Sequence, residues 1–274
     1  MLKSTDNEVI IGQIRIQHRQ RRFSMKVQQK LDRALESYVR INCTEWNPDL
    51  DETERAKYTK IVQDIISKAR KQDGPADVIE LTEMTDKARA PADKKRKETE
   101  ESMAALARQL PAWQWVETIK GAGALGLATI VAETGDLANY ANPGKLWKRL
   151  MLAPYDGHAG STWKREKWRP RTLTKEEWIE NPFSGQRYGL MRQIVTWLVN
   201  SQIESKAKSG TKHGKAKGPY GEAYIKRREH TDTTHPDWTP GHAQSDALRY
   251  TMKRFLKHLW QAWRNQMPND DHEE

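Results

Sequence analysis

Apolar side chains recur at helical spacing along the first part of the chain. Between residues 17 and 42 they fall three or four positions apart and leave a basic opposite face, which predicts an amphipathic helix. The predicted buried face is Phe23, Val27, Leu31, Leu35 and Tyr38. The dipeptide Asn47-Pro48 is typical of a turn and should end this helix.

Two further helices are predicted before residue 110. The second helix begins at Asp51, carries acidic residues in its first turn, and should bury Ile61, Val62, Ile65 and Ile66. It ends in the segment 71–75, which contains Gly and Pro. Pro91 then opens a long charged helix to about Leu110, whose narrow apolar stripe favours a coiled-coil-like arm or a helical linker over residues 1–110.

The rest of the pattern predicts a compact helical domain over residues 111–265. A helix is expected near 186–204, a flexible Lys/Gly-rich loop over 206–219, and a final helix from about Gln244 to Asn265. Residues 266–274 form an acidic tail. The predicted fold class is therefore all-α. The final helix should bury Leu248, Met252, Phe255, Leu256, Leu259 and Trp263.

Composition narrows the class of protein further. The 274 residues are 36% hydrophobic and 31% charged, and no apolar run is long enough for a membrane span. The single cysteine, Cys43, excludes an intramolecular disulfide and a cysteine zinc site. The N-terminus has early acidic residues and a short apolar stretch, so we expect no signal peptide and a cytoplasmic, nucleoid-associated protein.

The net charge of +10 is concentrated in three blocks. Residues 1–30 contain seven basic and two acidic residues, and residues 144–171 contain eight basic and two acidic residues. Residues 206–228 contain eight basic residues and one acidic residue. Clustered Lys and Arg release counterions from a phosphate backbone, so the blocks favour a polyanionic partner, with DNA first and RNA as an alternative. Solvated basic helix faces remain the other interpretation.

The segment Trp115–Ala132 has the pattern of a helix-hairpin-helix. A short helix ends at Ile119, and the turn Lys120-Gly121-Ala122-Gly123 leads into a second helix rich in small residues. Glycine permits positive φ and a close approach of phosphate to backbone N–H groups, while the second helix directs its positive dipole end to the same place. A close-packed helix turn without a ligand is the alternative.

The stretch Ile119–Asp136 resembles the helix-hairpin-helix of the insertion-sequence-110/116/902 transposases. The resemblance continues through Tyr140–Leu146 and Leu152-Ala-Pro154, and more loosely through 188–198, Tyr220, Tyr224 and the last helix. It implies a DNA-binding protein of transposition or recombination whose helical arm precedes the hairpin domain. The arm is a candidate for forming a homo-oligomer.

The chain departs from this family in its candidate chemistry. Family members begin with an RNase-H-like domain that holds metal through Asp and Glu, which we expect this chain to lack. We therefore expect no cofactor in this chain, and Mg²⁺ only if a partner domain supplies that site. The family's serine corresponds most nearly to Ser161, which follows Gly160 instead of preceding a glycine, and His158 is the candidate base. A polar, basic surface loop is the alternative interpretation.

The remaining site predictions concern cations and tryptophans. Trp163, Trp168 and Trp178 lie among basic residues, where they either stack on unpaired bases or anchor a loop. Trp147, Trp197, Trp260 and Trp263 occupy apolar helical positions and are predicted to be core. The DNA-binding candidates besides the hairpin are Lys145, Lys148, Arg149, Lys164, Arg165, Lys167, Arg169, Lys212 and Lys215.

Three functions are consistent with these observations. The first is DNA binding in transposition or recombination through the hairpin, without independent catalysis. The second is an active serine-dependent recombinase subunit that needs a partner metal domain for strand transfer. The third is a basic helical scaffold that binds RNA or an acidic protein. The sequence leaves open whether the chain is an enzyme.

Overall fold

The computed structural model describes residues 4–153 and 184–266, and within these ranges it is an all-α protein, as predicted. Two strands of two residues each are the exception among the described residues. The chain divides into two compact units: residues 16–101 form one, and the stretch ending at Arg15 joins the chain from Ser102 onward in the other. We call them the three-helix unit and the hairpin unit.

The helices have the following bounds. Helix α1 spans Ser4–Cys43, α2 Glu52–Ala69, α3 Ala76–Ala107, α4 Trp113–Val116 and α5 Ala124–Thr134. A 3₁₀ turn at Leu137–Asn139 precedes α6 at Pro143–Arg149. After the gap come α7 at Ser184–Ser201, α8 at Lys206–Ser209, α9 at Pro219–Thr234 and α10 at Pro240–Trp263. Strands β1 (Ile203–Glu204) and β2 (Lys215–Ala216) pair antiparallel.

Local sequence signals explain several helix starts. Asp51 caps α2 in a reciprocal capping box with Glu54, so two backbone N–H groups at this end are satisfied. Asn142 caps α6 and Thr239 caps α10, and each is followed by a proline in the first turn, where the missing N–H costs nothing. Helices α6 and α10 therefore begin where the sequence supplies both a cap and a pre-set φ.

In the three-helix unit, α1 and α3 pair antiparallel through polar side chains. Each step of seven residues along α1 is matched by seven residues back along α3: Arg21 donates to Glu100 at 2.7 Å, and Gln28 donates to Asp93. Buried or half-buried positions of α3 recur at heptad spacing, as in a coiled coil. They are Val78, Thr82, Thr85, Arg89, Ala92, Arg96 and Thr99.

The carboxylate of Glu100 shows how this polar seam is stabilised. Burial raises its pKa, but hydrogen bonds from Arg21 and Arg96 outweigh that effect and hold the pKa below its ordinary value. A third arginine, Arg89, donates to Asp32 at 2.6 Å. Apolar packing takes over only at the end of the unit near α2, in a small core of Leu35, Val39, Val62, Ile66, Ala69 and Val78.

Three predictions for this unit are wrong in detail. The buried face of α1 runs through Ser24 and Gln28, while Phe23 is 71% exposed, because the partner helix offers polar groups instead of an apolar surface. Ile61 on α2 is exposed. Pro91 lies inside α3 instead of opening a helix; it sits on the solvent side, where the lost backbone hydrogen bond costs least.

In the hairpin unit, α10 is the central helix and packs against α6, α7 and α9. Helices α9 and α10 run antiparallel: Arg227 donates to Asp246 at 2.6 Å, and the Tyr220 hydroxyl lies 2.9 Å from His258 Nδ1. The predicted apolar face of the last helix is confirmed, since every residue named for it is buried. The first turns of α1 add Ile10, Ile11 and Ile14 to the same core.

None of the helices in the described ranges combines the length and the hydropathy required to cross a bilayer.

We expect Leu35→Ala to destabilise the protein by about 2–4 kcal/mol, because it removes a buried side chain from the small core of the three-helix unit. Phe23→Ala is the matched control. Both residues belong to the same predicted apolar face, yet the exposed Phe23 should change the free energy of unfolding by less than about 0.5 kcal/mol. Urea unfolding of the full chain measures both, and equal losses would contradict the observed helix face.

Candidate nucleic-acid interface

The predicted hairpin is present between α4 and α5. After α4, successive backbone hydrogen bonds close two turns, from Ile119 N to Val116 O at 3.1 Å and from Ala122 N to Ile119 O at 2.9 Å. Gly121 has φ +88°, a conformation that side-chain-bearing residues rarely adopt. The chain then enters α5 through an extended Gly123, which is the N-cap residue.

Gly121 is required by packing against α7. A Cβ built there would lie 2.7 Å from Ser201 Cβ and 3.1 Å from Leu198 Cα, so any side chain would collide with the end of that helix. The first glycine of the hairpin therefore faces the protein interior. Its role is to let the turn approach α7.

Gly123 is open to solvent. It is exposed, and a Cβ built on it would meet no atom of the described residues within 4 Å. Helix α5 has no side-chain cap bond at this end, so its first-turn N–H groups lack the partner that Ser, Thr, Asn or Asp would supply. Lys120 is also exposed, three residues before this helix end.

The body of α5 holds this open end in place. Leu127, Ala128, Ile130 and Val131 are all buried in the core of the hairpin unit. The end of the helix is thus a fixed array of donors on a rigid support, which is the arrangement by which helix N-termini bind anions.

Gln202 supports the hairpin from the protein interior, and no pattern in the sequence pointed to this residue. Its side chain is almost completely buried, and its Nε2 donates to Lys120 O at 2.9 Å. Its Oε1 accepts from Tyr220 N at 2.9 Å and from Gly221 N at 3.3 Å. Lys217 N donates to the backbone oxygen of Gln202 at 2.7 Å. One buried amide therefore joins the hairpin, the end of α7 and the start of α9.

Trp197 corrects the prediction that all four helical tryptophans are core. It is 70% exposed, because the inner side of α7 is occupied by Met191, Val195 and Leu198. The other three lie against the core through hydrogen-bonded indoles, as predicted. The Trp147 indole donates to Lys253 O, Trp260 to Tyr140 O, and Trp263 to Asp136 Oδ1. The helical periodicity of α7 could have distinguished Trp197 from the other three tryptophans, because it places Met191, Val195 and Leu198 on the inner side of the helix.

The cations of α6 lie at the opposite end of α5 from Gly123. Arg149 donates to Glu133 O at 3.2 Å, near the C-terminus of α5, and Lys145 and Lys148 are exposed on the same short helix. Arg187 pairs with the buried Glu133 carboxylate at 3.2 Å; burial and the neighbouring Arg149 lower the pKa of Arg187. The structure therefore does not bring Lys145, Lys148 and Arg149 together with Lys120.

The predicted flexible loop after α7 is instead folded. Strands β1 and β2 close it, and the Thr211 hydroxyl donates to Gly214 O at 2.7 Å. Lys212 Nζ lies 2.5 Å and His213 Nε2 2.6 Å from the same oxygen of Asp232 on α9. Lys212 therefore forms an ion pair with Asp232, whereas Lys215 is exposed on β2.

The remaining predicted site residues fall between residues 154 and 183, outside the described ranges. They are Ser161, His158, Lys164, Arg165, Lys167, Arg169, Trp163, Trp168 and Trp178. Among the residues that the structure does describe, no three His, Cys, Asp or Glu side chains gather in the manner of a metal site.

The two hairpin glycines should respond differently to substitution. We expect Gly121→Ala to cost about 2–4 kcal/mol of unfolding free energy, since it combines a strained φ with a collision against Ser201. Gly123→Ala should change stability by less than about 0.5 kcal/mol. Ser201→Gly added to Gly121→Ala should recover part of the loss. Urea unfolding of the variants measures these effects, and equal costs at both glycines would contradict the described packing.

Asp232 gives a pH-dependent test of the folded loop. Hydrogen bonds from Lys212 and His213 lower the pKa of Asp232 to about 2. A carboxyl group whose pKa is lower in the folded state adds stability to that state. This stability is fully present above about pH 4, the pKa in the unfolded chain, and is lost as the pH falls toward the pKa in the folded protein.

The stability difference between the protein and Asp232→Asn should therefore narrow as the pH is lowered from about 4 to about 2. Urea unfolding across this range measures the difference. Asp237→Asn, a change at an exposed aspartate nearby in the chain, is the control for removing one carboxylate. A constant difference for Asp232→Asn would contradict the ion pairs.

Comparison of the chain with protein-family models, with curated proteins and with solved structures found no match.

Proposed function

We propose that the protein binds the sugar-phosphate backbone of DNA through the hairpin, in DNA transposition or recombination. The observation that carries the proposal is the open N-terminus of α5 at Gly123, which has no side-chain cap and where a Cβ would meet no atom of residues 4–153 and 184–266 within 4 Å. The hairpin offers the backbone donors of the first turn of α5 and the positive charge of Lys120. Binding of this kind positions a protein on DNA independently of sequence.

Three physical features favour a phosphate as the ligand. The N–H groups of the first turn of α5 can donate to anionic oxygens, and the helix dipole adds favourable potential at the same point. Lys120 adds a full positive charge within the same turn. Because α7 and Gln202 support the hairpin, little ordering entropy is lost when the phosphate binds.

The assignment to transposition or recombination is supported by the resemblance of residues 119–154 to the insertion-sequence-110/116/902 transposases, and by the net charge of +10. Strand transfer by Ser161 is not part of the proposal, since that residue lies outside the described ranges.

Gly123→Asp is the sharpest test. An aspartate at the N-cap should accept hydrogen bonds from the first turn of α5, so that the fold is retained while the donors are occupied and a phosphate is repelled. We expect about a tenfold loss of affinity for a duplex at low salt, measured by fluorescence anisotropy. Lys120→Gln should lower the slope of log affinity against log salt by about one.

Gln13→Glu, at an exposed position of α1, changes the net charge by the same amount and is the matched control. Loss of affinity in Gly123→Asp alone would support binding at the hairpin, and a preference for a four-way junction over a duplex would support recombination. If Gly123→Asp binds as the parent does, the hairpin is not the binding site. The same conclusion follows if Gly123→Asp and Gln13→Glu lose affinity equally.

A further inference from the structure

The outer face of α1 in the three-helix unit carries a row of five bases. Arg19, Arg22, Lys26, Lys30 and Arg33 follow one another at intervals of three or four residues. At about 100° per residue these positions fall within an arc of about 80°, and at about 1.5 Å per residue they extend over about 21 Å. We call this row the outer stripe of α1.

The bases of the outer stripe differ from those inside the unit. The inward-facing Arg21, Arg89 and Arg96 are all salt-bridged to carboxylates. Among the described residues, by contrast, Arg19, Lys26, Lys30 and Arg33 form no ion pair, and all four are exposed. The bases of the seam are therefore neutralised by carboxylates, whereas these four bases of the outer stripe are not paired within the described ranges.

No carboxylate of α1 interrupts the outer stripe. The acidic residues of α1 between residues 16 and 43 are Asp32 and Glu36, and both lie outside the arc. Asp32 is already paired with Arg89 across the seam. The stripe therefore presents a row of positive charges along the helix, which is complementary to a linear polyanion.

An aromatic ring lies beside this stripe. Phe23 is 71% exposed, and its neighbours on the helix surface are Arg19 at i−4 and Lys26 at i+3. A large exposed aromatic side chain between two cations is the combination used by proteins that bind single-stranded nucleic acid, with bases stacking on the ring and phosphates held by the charges. A duplex keeps its bases stacked inside and would leave Phe23 without a partner.

We propose that the outer stripe of α1 binds single-stranded nucleic acid, with the phosphate backbone along the stripe and one base stacked on Phe23. This surface belongs to the three-helix unit and is carried by observations independent of the hairpin. Binding is independent of base sequence, because the contacts are to phosphates and to the face of a base.

The test neutralises four bases of the stripe together, as Arg19→Gln, Lys26→Gln, Lys30→Gln and Arg33→Gln in the full chain. Binding to a fluorescent oligothymidylate is followed by anisotropy over a salt series. We expect affinity at low salt to fall at least about tenfold, and the slope of log affinity against log salt to fall by about three. Circular dichroism verifies that the helices are retained.

The matched control removes the same charge elsewhere in the three-helix unit. It combines changes to glutamine at Lys57 and Lys60 of α2 and at Lys94 and Lys97 of α3, all of which are exposed. Retained affinity in this control, together with loss in the stripe variant, supports the proposal. Equal losses would show that overall charge alone attracts the strand, and unchanged affinity in the stripe variant would equally overturn the proposal.

Substitutions at Phe23 separate the contribution of base stacking to the affinity from the contribution of charge. Phe23→Ala should lower the affinity for the single strand about tenfold and leave the affinity for a duplex unchanged, whereas Phe23→Tyr should bind as the parent does. No loss in Phe23→Ala, or an equal loss on the duplex, would overturn the stacking contact. Gly123→Asp distinguishes the two proposals, because it should reduce duplex binding and leave oligothymidylate binding to the stripe intact.

Discussion

The hairpin unit depends on the hydrogen bonds of one buried side chain, Gln202. Its amide donates to Lys120 O and accepts from Tyr220 N and Gly221 N, so three segments far apart in sequence meet at one residue. A buried amide that lost one of these partners would leave an unsatisfied polar group in the core, at a cost of about 1–3 kcal/mol. The position of the open end of α5 is set by this network as much as by the glycines of the turn.

The two units bury their helices in different ways. The hairpin unit excludes water with a large apolar core centred on α10. The three-helix unit pairs α1 with α3 largely through arginine, glutamine and carboxylate side chains, and keeps apolar packing for one end. This difference explains why a chain with 36% hydrophobic residues can fold over most of its length. It also leaves the bases of the seam paired with carboxylates inside the three-helix unit.

Sequence periodicity predicted the apolar elements well and the polar ones poorly. The final helix was found with its whole buried face because Leu248, Phe255 and Leu259 belong to a regular apolar stripe. The predicted face of α1 was right at Leu35 and wrong at Phe23, because the real neighbours there are polar. A pattern of hydrophobic residues cannot reveal a seam built on Gln28 and Arg21. For the site, the turn and its glycines were predictable from the sequence. The division of roles between Gly121 and Gly123 was not, because it depends on Ser201, which is distant in sequence.

The bond between Gln202 and Lys120 spans 82 positions of the chain, and this has a consequence for biosynthesis. Translation delivers the hairpin and the apolar α5 well before α7, Gln202 and Tyr220 exist to cover and align them. Until the ribosome has passed those residues, Leu127, Ile130 and Val131 lack the surfaces against which they are finally buried. The nascent chain thus carries an uncovered apolar helix through a long interval of elongation, the condition in which chaperone binding or premature association competes with folding. A motif that is short in sequence is in this protein among the last parts of its unit to be completed.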